Sequence, residues 1–384
     1  MTFFFLVSAL LFSYFLTPIA GRIACRFGAV DYPGGRKVHE GIIPRFGGVA
    51  IFAAFVLVTA GYYQWFHPSA WTTLSGYRAL GIAAAGFLIF ALGVYDDLRG
   101  TNAWVKFSVQ LVAAFLVVWK GDVIRVVTHP AGGQIDLGLL AVPVTVLWLV
   151  GVTNAFNLID GADGVAGGIG AIVAGTMAFV GAYNGHFESA TIAAILCGAL
   201  LGFLRYNFYP AKIFMGDSGA LFIGFSIAAL SIKTSQVSAA TISFLTSLVA
   251  LGLPIMDTSL SFFRRVRAGK NPFQADCDHI HHRLLRETLS HRWTAVILWV
   301  FCFVLNVTAL ILLYRNNWVL ALFIVPVTLL LAVSPFVRQK LRLTGNGNGV
   351  HALPAAALEP VVMEGSLKDQ APGVAGKKFL SPVP

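Results

Sequence analysis

The chain is 384 residues long, carries a formal net charge of +10, and is 57% hydrophobic against only 11% charged. Soluble domains carry about 25% charged residues, so a soluble globular protein is excluded and a polytopic membrane protein is indicated. The excess of positive charge calls for no nucleic acid, because membrane topology accounts for it.

Segments approaching the roughly 20 apolar residues that cross a bilayer read, in chain order, at 2–24, 46–66, 78–95, 104–119, 139–156, 164–183, 189–204, 218–232, 239–263, 294–314 and 318–337. The expected fold is therefore an all-α bundle of about eleven transmembrane helices. The first run lacks a basic leading region and a small-residue cleavage site and ends in Gly21-Arg22, so it reads as a retained helix. With its N-terminus outside, only Arg78, Lys120, Arg125, Lys233 and Arg315 of the 27 Lys and Arg fall on the outer face. That asymmetry orients the bundle by the positive-inside rule. Between the fourth and fifth spans, VIRVVTHPAGGQIDLG (123–138) has β-branched runs around Pro130-Ala131-Gly132-Gly133 and predicts a small extracytoplasmic hairpin. Beyond Arg338 the sequence turns to Gly, Asn, Pro and Ala, which predicts a transmembrane domain over 1–338 and a disordered cytoplasmic tail over 339–384. Cys25, Cys197, Cys277 and Cys302 show no CxxC spacing and read as free thiols.

The chemistry gathers on the predicted cytoplasmic face. Asp96 and Asp97 close an apolar run in DDLRG; adjacent on a helix, they point about 100° apart and cannot both face lipid without large cost. In NLIDGADG, Asn157, Asp160 and Asp163 recur every third residue, which would align them along one side of a helix turn. Mg²⁺ takes hard oxygen ligands, often one or two carboxylates completed by substrate phosphates, and these side chains supply them. Asp217, in MGDSG, stands before an apolar run; an N-cap is the simplest reading, and a metal ligand at a phosphate-binding helix start is compatible with it. The loop at 264–293 carries His279, His281, His282 and Arg283 in HIHHR. Adjacent histidines without a matching ligand set argue against zinc, whereas His and Arg donors suit a pyrophosphate. Lys37, His39 and Arg45 follow from the topology and are available to an anionic substrate. Asp257, inside the helix that ends at Arg264, is the hardest acid to assign.

In order, RKVHEGIIPRFGG, GVYDDLRG, NAFNLIDGADG, PAKIFMGDSGALFIGF and NPFQADCDHIHHRLL resemble the cytoplasmic motifs of the polyprenyl-phosphate N-acetylhexosamine-1-phosphate transferases, in the branch called WecA/TagO-like. The resemblance runs from Arg36 to Leu285. It implies transfer of a sugar 1-phosphate from a UDP-N-acetylhexosamine, GlcNAc foremost, to undecaprenyl phosphate, with release of UMP. It also implies Mg²⁺ (or Mn²⁺) at Asp217 with Asn157 and Asp160 close by, and catalytic roles for Asp96, Asp97, Asp160 and Asp163. Whether the Asp96–Asp97 pair handles the metal or deprotonates the lipid phosphate stays open. By the same resemblance, His279 to Arg283 grip the nucleotide-sugar pyrophosphate and Lys37 with His39 meets the anionic substrates. One departure is Gly100, where some members carry a polar residue. The implied setting is the bacterial inner membrane, with a cytoplasmic-facing site and a homodimer in keeping with the family.

Three other readings compete. A phospho-N-acetylmuramoyl-pentapeptide transferase resembles a run of consecutive histidines at the loop instead of HIHHR. A transporter or flippase of an anionic substrate would place acids near the bilayer midplane, whereas these sit at helix ends. A CDP-alcohol phosphotransferase would show a dense acid pattern on consecutive turns, which is missing.

Overall fold

A computed structural model of the chain describes residues 1–33, 41–67, 74–128, 134–235, 243–267, 269, 280, 284 and 291–315. Within these the protein is a helical bundle: α1 (Thr2–Phe27), α2 (Gly47–Phe66), α3 (Leu74–Arg99), α4 (Ala103–Trp119), α5 (Ala141–Ile159), α6 (Val165–Tyr183), α7 (Phe187–Asn207), α8 (Gly216–Ser235), α9 (Ser243–Ala250), α10 (Gly252–Arg267) and α11 (His291–Arg315). Seven of the described helices contain stretches long and apolar enough to cross a membrane: those in α1, α2, α3, α5, α6, α7 and α11. The span expected at 318–337 and the tail lie outside the described residues.

Small residues let the central helices approach at backbone distance, which is how helices associate where water supplies no driving force. Gly198 and Gly202, one turn apart on α7, face the backbone of Leu6 and Leu10 on α1, and a Cβ at either would collide with it. Around α8 the same device acts three times. Gly219 meets Gly48 of α2, Gly93 of α3 meets Ser218, and Gly224 meets Thr153 and Phe156 of α5. The N-terminal half of α8 is thereby clamped between α2, α3 and α5, and α3 carries Asp96 and Asp97.

Two antiparallel hairpins decorate the helices. Strands β3 (Val126–Thr128) and β4 (Gln134–Asp136) pair Val127 with Ile135, as the sequence predicted. A second pair, β1 (Val30–Asp31) with β2 (Ile43–Pro44), was not anticipated.

The single span expected at 239–263 is in fact two helices meeting at Leu251. Pro254 has no N–H to give to the carbonyl four residues back, so it is tolerated in the first turn of a helix and not in its interior. The carbonyl it leaves, that of Ala250, instead accepts the side-chain Nδ2 of Asn306 on α11 at 3.1 Å. The break is thus stabilised by a polar group reaching across from the neighbouring helix.

Candidate active site

The start of α8 is the centre of the site. Gly216, with φ +73°, turns the chain into the helix, and the first-turn N–H groups of Asp217 and Ser218 point outward along the axis. Helix starts leave such donors without intrahelical partners. Here the carboxylate of Asp97, from the last turn of α3, takes both: Asp217 N–H donates to Oδ1 at 2.8 Å and Ser218 N–H to Oδ2 at 3.0 Å. The expected cap is therefore reversed. Asp217 does not cap its own helix; it lies inside the first turn, and Asp97 caps that turn from another helix.

That arrangement frees the Asp217 side chain. Its Oδ1 accepts from Nδ2 of Asn157, near the end of α5, at 3.2 Å, and its Oδ2 pairs with Nζ of Lys106 on α4. The same ammonium reaches Oδ2 of Asp96 at 2.7 Å, while the Thr101 hydroxyl donates to Asp96 Oδ1. Both members of the Asp96–Asp97 pair thus turn inward, to different partners. Gly100, at φ +69°, ends α3 in the left-handed region that disfavours a side chain.

The triad Asn157, Asp160 and Asp163 does not share a helix face. α5 ends at Ile159, so only Asn157 is helical, and residues 160–164 form a turn into α6. Gly161 and Gly164 supply the flexibility that stops the helix, and a spacing of three carries meaning only while the helix lasts. Burial pushes the Asp160 carboxyl well above the usual carboxylate range; the negative charges of Asp217, Asp97 and Asp163 push the same way, against an opposing pull from Arg45. Asp163 turns aside, its Oδ2 accepting the N–H of Ala211 at 3.0 Å.

That bond belongs to a set of stitches between the 160–164 turn and the loop entering α8. Buried Asn207 accepts from Gly164 N–H at 3.1 Å and donates to the Ile213 carbonyl at 3.0 Å. Trp299 of α11 donates from Nε1 to the Gly164 carbonyl at 3.1 Å. On the other side, the PRFGG segment docks on the same loop by backbone: Phe214 N–H to Pro44 O at 2.8 Å, Gly47 N–H to Phe214 O at 2.9 Å and Gly48 N–H to Met215 O at 2.7 Å. Arg45 pairs with Asp31 at 2.7 Å across the β1–β2 hairpin.

Four of the five motifs thus converge by contacts among described residues, and Asp96, Asp97, Asn157, Asp160 and Asp217 come together. Lys37, His39, His279, His281, His282 and Arg283 lie outside the described residues. Lys106 was missed by the sequence reading although its signal was present: an ammonium four residues into an apolar helix is costly unless partnered.

Hard oxygen donors crowded around one helix start, with a lysine already drawn to two of them, suit a divalent cation. Among the described residues no three His, Cys, Asp or Glu side chains are grouped to enclose a metal alone. The donor set fits Mg²⁺, which usually keeps one or two protein carboxylates and completes its shell with waters and phosphates.

Fold and site together define a membrane-embedded helical protein with an acidic, oxygen-rich centre at one end of its bundle. A model of glycosyl transferase family 4 matches residues 79–235, the stretch holding every acid of that centre. The chain is 40% identical over 325 residues, 84% of its length and 87% of the relative's, to a protein of Bacillus subtilis named probable undecaprenyl-phosphate N-acetylglucosaminyl 1-phosphate transferase. It is 36% identical to a decaprenyl-phosphate N-acetylglucosaminephosphotransferase of Mycolicibacterium smegmatis, covering 77% of this chain and 78% of that one. With an undecaprenyl-phosphate alpha-N-acetylglucosaminyl 1-phosphate transferase of Escherichia coli K12 it shares 28% identity over 76% and 79% of the two chains. The chain belongs to glycosyl transferase family 4, among its polyprenyl-phosphate N-acetylhexosamine-1-phosphate transferases.

Proposed function

We propose that this protein transfers N-acetylglucosamine 1-phosphate from UDP-GlcNAc to undecaprenyl phosphate, releasing UMP, as the first step in building a cell-envelope glycan. The observation that carries the reading is the meeting of Asp96, Asp97, Asn157 and Asp217 at one helix start, in a chain aligned over most of its length with relatives named for this reaction.

An oxygen of the lipid phosphate attacks the β-phosphorus of UDP-GlcNAc; the new P–O bond forms as the bond to the bridging oxygen breaks, and that oxygen leaves with UMP. Both reactants are anions, so the protein's task is to neutralise and align them. Mg²⁺ held by Asp217 with Asn157 would supply charge neutralisation to the phosphates. Asp97 fixes the direction of the α8 start and therefore of Asp217. Lys106 holds Asp96 and Asp217 in place and brings positive charge to where the phosphates gather. A phosphate monoester loses its second proton near pH 6 (about 6), so the acceptor arrives largely as a dianion. Asp96 is accordingly assigned to charge placement, with proton removal needed only from the minor monoanion.

The proposed location is the bacterial cytoplasmic membrane with the site facing the cytoplasm, where UDP-sugars are found, in keeping with the Lys and Arg distribution. The test is UMP release by purified protein given undecaprenyl phosphate and UDP-GlcNAc, with and without Mg²⁺, beside UDP-MurNAc-pentapeptide. Metal-dependent UMP from UDP-GlcNAc alone is expected. Release only from the pentapeptide donor would move the protein to the other branch, and release from none would overturn the enzymatic reading.

A further inference from the structure

Gln110 lies on α4 with 2% of its surface exposed. An amide so deep in an apolar wall is costly unless its polar atoms are paired. It meets Asn154 of α5 in a reciprocal pair: Asn154 Nδ2 donates to Gln110 Oε1 at 2.6 Å, and Gln110 Nε2 donates to Asn154 Oδ1 at 3.3 Å. Asn154 Nδ2 also donates to the Val150 carbonyl of its own helix at 2.8 Å. The other buried side chains of α4, Ala113, Ala114 and Val117, are small and apolar, and such contacts carry little direction. A pair of amides that exchange donor and acceptor is directional, and fixes one helix against the other.

The clasp sits one turn further into the bundle than the site. Lys106 precedes Gln110 by four residues on α4, and Asn157 follows Asn154 by three on α5, so each amide shares a helix face with a group that touches Asp217. The two helices are held differently there. α5 is locked to α8 at backbone distance, where Gly224 meets Thr153 and Phe156, residues that flank Asn154. α4 packs on α3 and α5 and reaches that frame through Gln110.

We infer that Gln110 is a positioning residue for Lys106: through Asn154 it refers α4 to the α5–α8 frame, and so holds the ammonium between Asp96 and Asp217. The inference rests on the proposed reaction, in which Lys106 brings positive charge to the reacting phosphates. Misplacing such a group by about 1 Å is enough to cost a large factor in rate.

The experiment is a double-substitution cycle on full-length protein in detergent: wild type, Gln110→Leu, Lys106→Met and the two together, with kcat and both KM values measured for each. Gln110→Leu is expected to lower kcat about tenfold, with the KM for UDP-GlcNAc and for undecaprenyl phosphate within about twofold of wild type. With Lys106 already replaced, the same change should lower kcat by less than about twofold, because a residue that acts through another adds nothing once that other is gone. A role in packing alone would lower turnover by the same factor in both backgrounds. Gln110→Asn keeps an amide on a shorter stem and should lower kcat about threefold; if the leucine variant yields no folded protein, the asparagine variant carries the cycle. Unchanged kcat in the folded single variant, or equal factors in the two backgrounds, overturns the inference alone. Wild type that releases no UMP from any donor overturns the functional reading beneath it.

Discussion

The two ends of the bundle treat their acids differently. At the end where α8 finishes, Asp122 lies 3.9 Å from Lys233 and Glu188 accepts the Tyr63 hydroxyl at 2.6 Å, so each acid meets a separate counterpart. Beside them opens a groove of about 330 Å³ walled mainly by Phe52, Phe55, Phe87, Phe222 and Phe225, with Glu188 and Lys233 among its few charged lining groups. At the other end Asp96 and Asp217 share one lysine, Asp97 and Asp160 lie close to Asp217, and the nearby Arg45 is paired with Asp31. One-to-one pairing is what structural acids require near hydrocarbon. Carboxylates in excess of cations, in a low dielectric, form instead a place where an added cation is strongly favoured. The difference teaches that the count of acids matters less than whether each has its own partner.

Three substitutions should break or sharpen that contrast. The largest effect is expected for Asp217→Asn, which removes the charge at the centre of the crowded end: UMP release should fall on the order of a thousandfold, with the melting temperature in detergent little changed. A smaller fall belongs to Lys106→Met, roughly a hundredfold, because the variant loses the ammonium shared by Asp96 and Asp217. The same exchange at the other end, Lys233→Met, should leave turnover within about twofold, even if it costs some stability. Equal losses for the two lysines would remove the distinction between the ends.

The sequence made this division partly visible. Asp96, Asp97 and Asp217 stood out because each ends or begins a run of apolar residues, and the physics that makes such acids expensive is local. Lys106 obeys the same rule and was overlooked because the run around it reads as ordinary span. What sequence could not supply was partnership across the bundle. Asp217 looks like a cap for its own helix, yet the cap comes from Asp97, 120 residues earlier. Asn157, Asp160 and Asp163 look like one helix face because spacing alone does not reveal that α5 stops at Ile159. The junction at Leu251 was legible in Gly252 and Pro254 but was outweighed by the hydropathy of the whole segment. The hairpin at 126–136 was legible because turn residues and β-branched runs are both local signals.

Smaller effects should come from the stitches that hold the 160–164 turn. Trp299→Phe keeps the ring against Phe208 but removes the Nε1 donor from the Gly164 carbonyl. Losing one net hydrogen bond of about 1 kcal/mol should slow turnover a few-fold, chiefly through kcat, since it loosens Asp160 and not the substrate pockets themselves.

The smallest expected effect is one of stability, and its sign separates the crowded end from the paired one. Because burial and neighbouring acids raise the Asp160 carboxyl in the folded protein, the native state holds that proton more tightly than the unfolded chain, whose value is about 4. The stabilisation is then fully present in acid below the unfolded value and is lost as pH rises through the folded one. Asp160→Asn stays neutral throughout. Without added metal, its melting temperature should therefore match wild type in acid and exceed it by a few degrees in mild alkali, about the shift that 1 kcal/mol gives in a chain of moderate size. Mg²⁺ should shrink the gap in alkali, because a cation at the same centre favours the ionised Asp160 of wild type. A gap that ran the other way, with the variant less stable as pH rises, would mean that Asp160 has a cationic partner of its own and belongs with the paired acids of the opposite end.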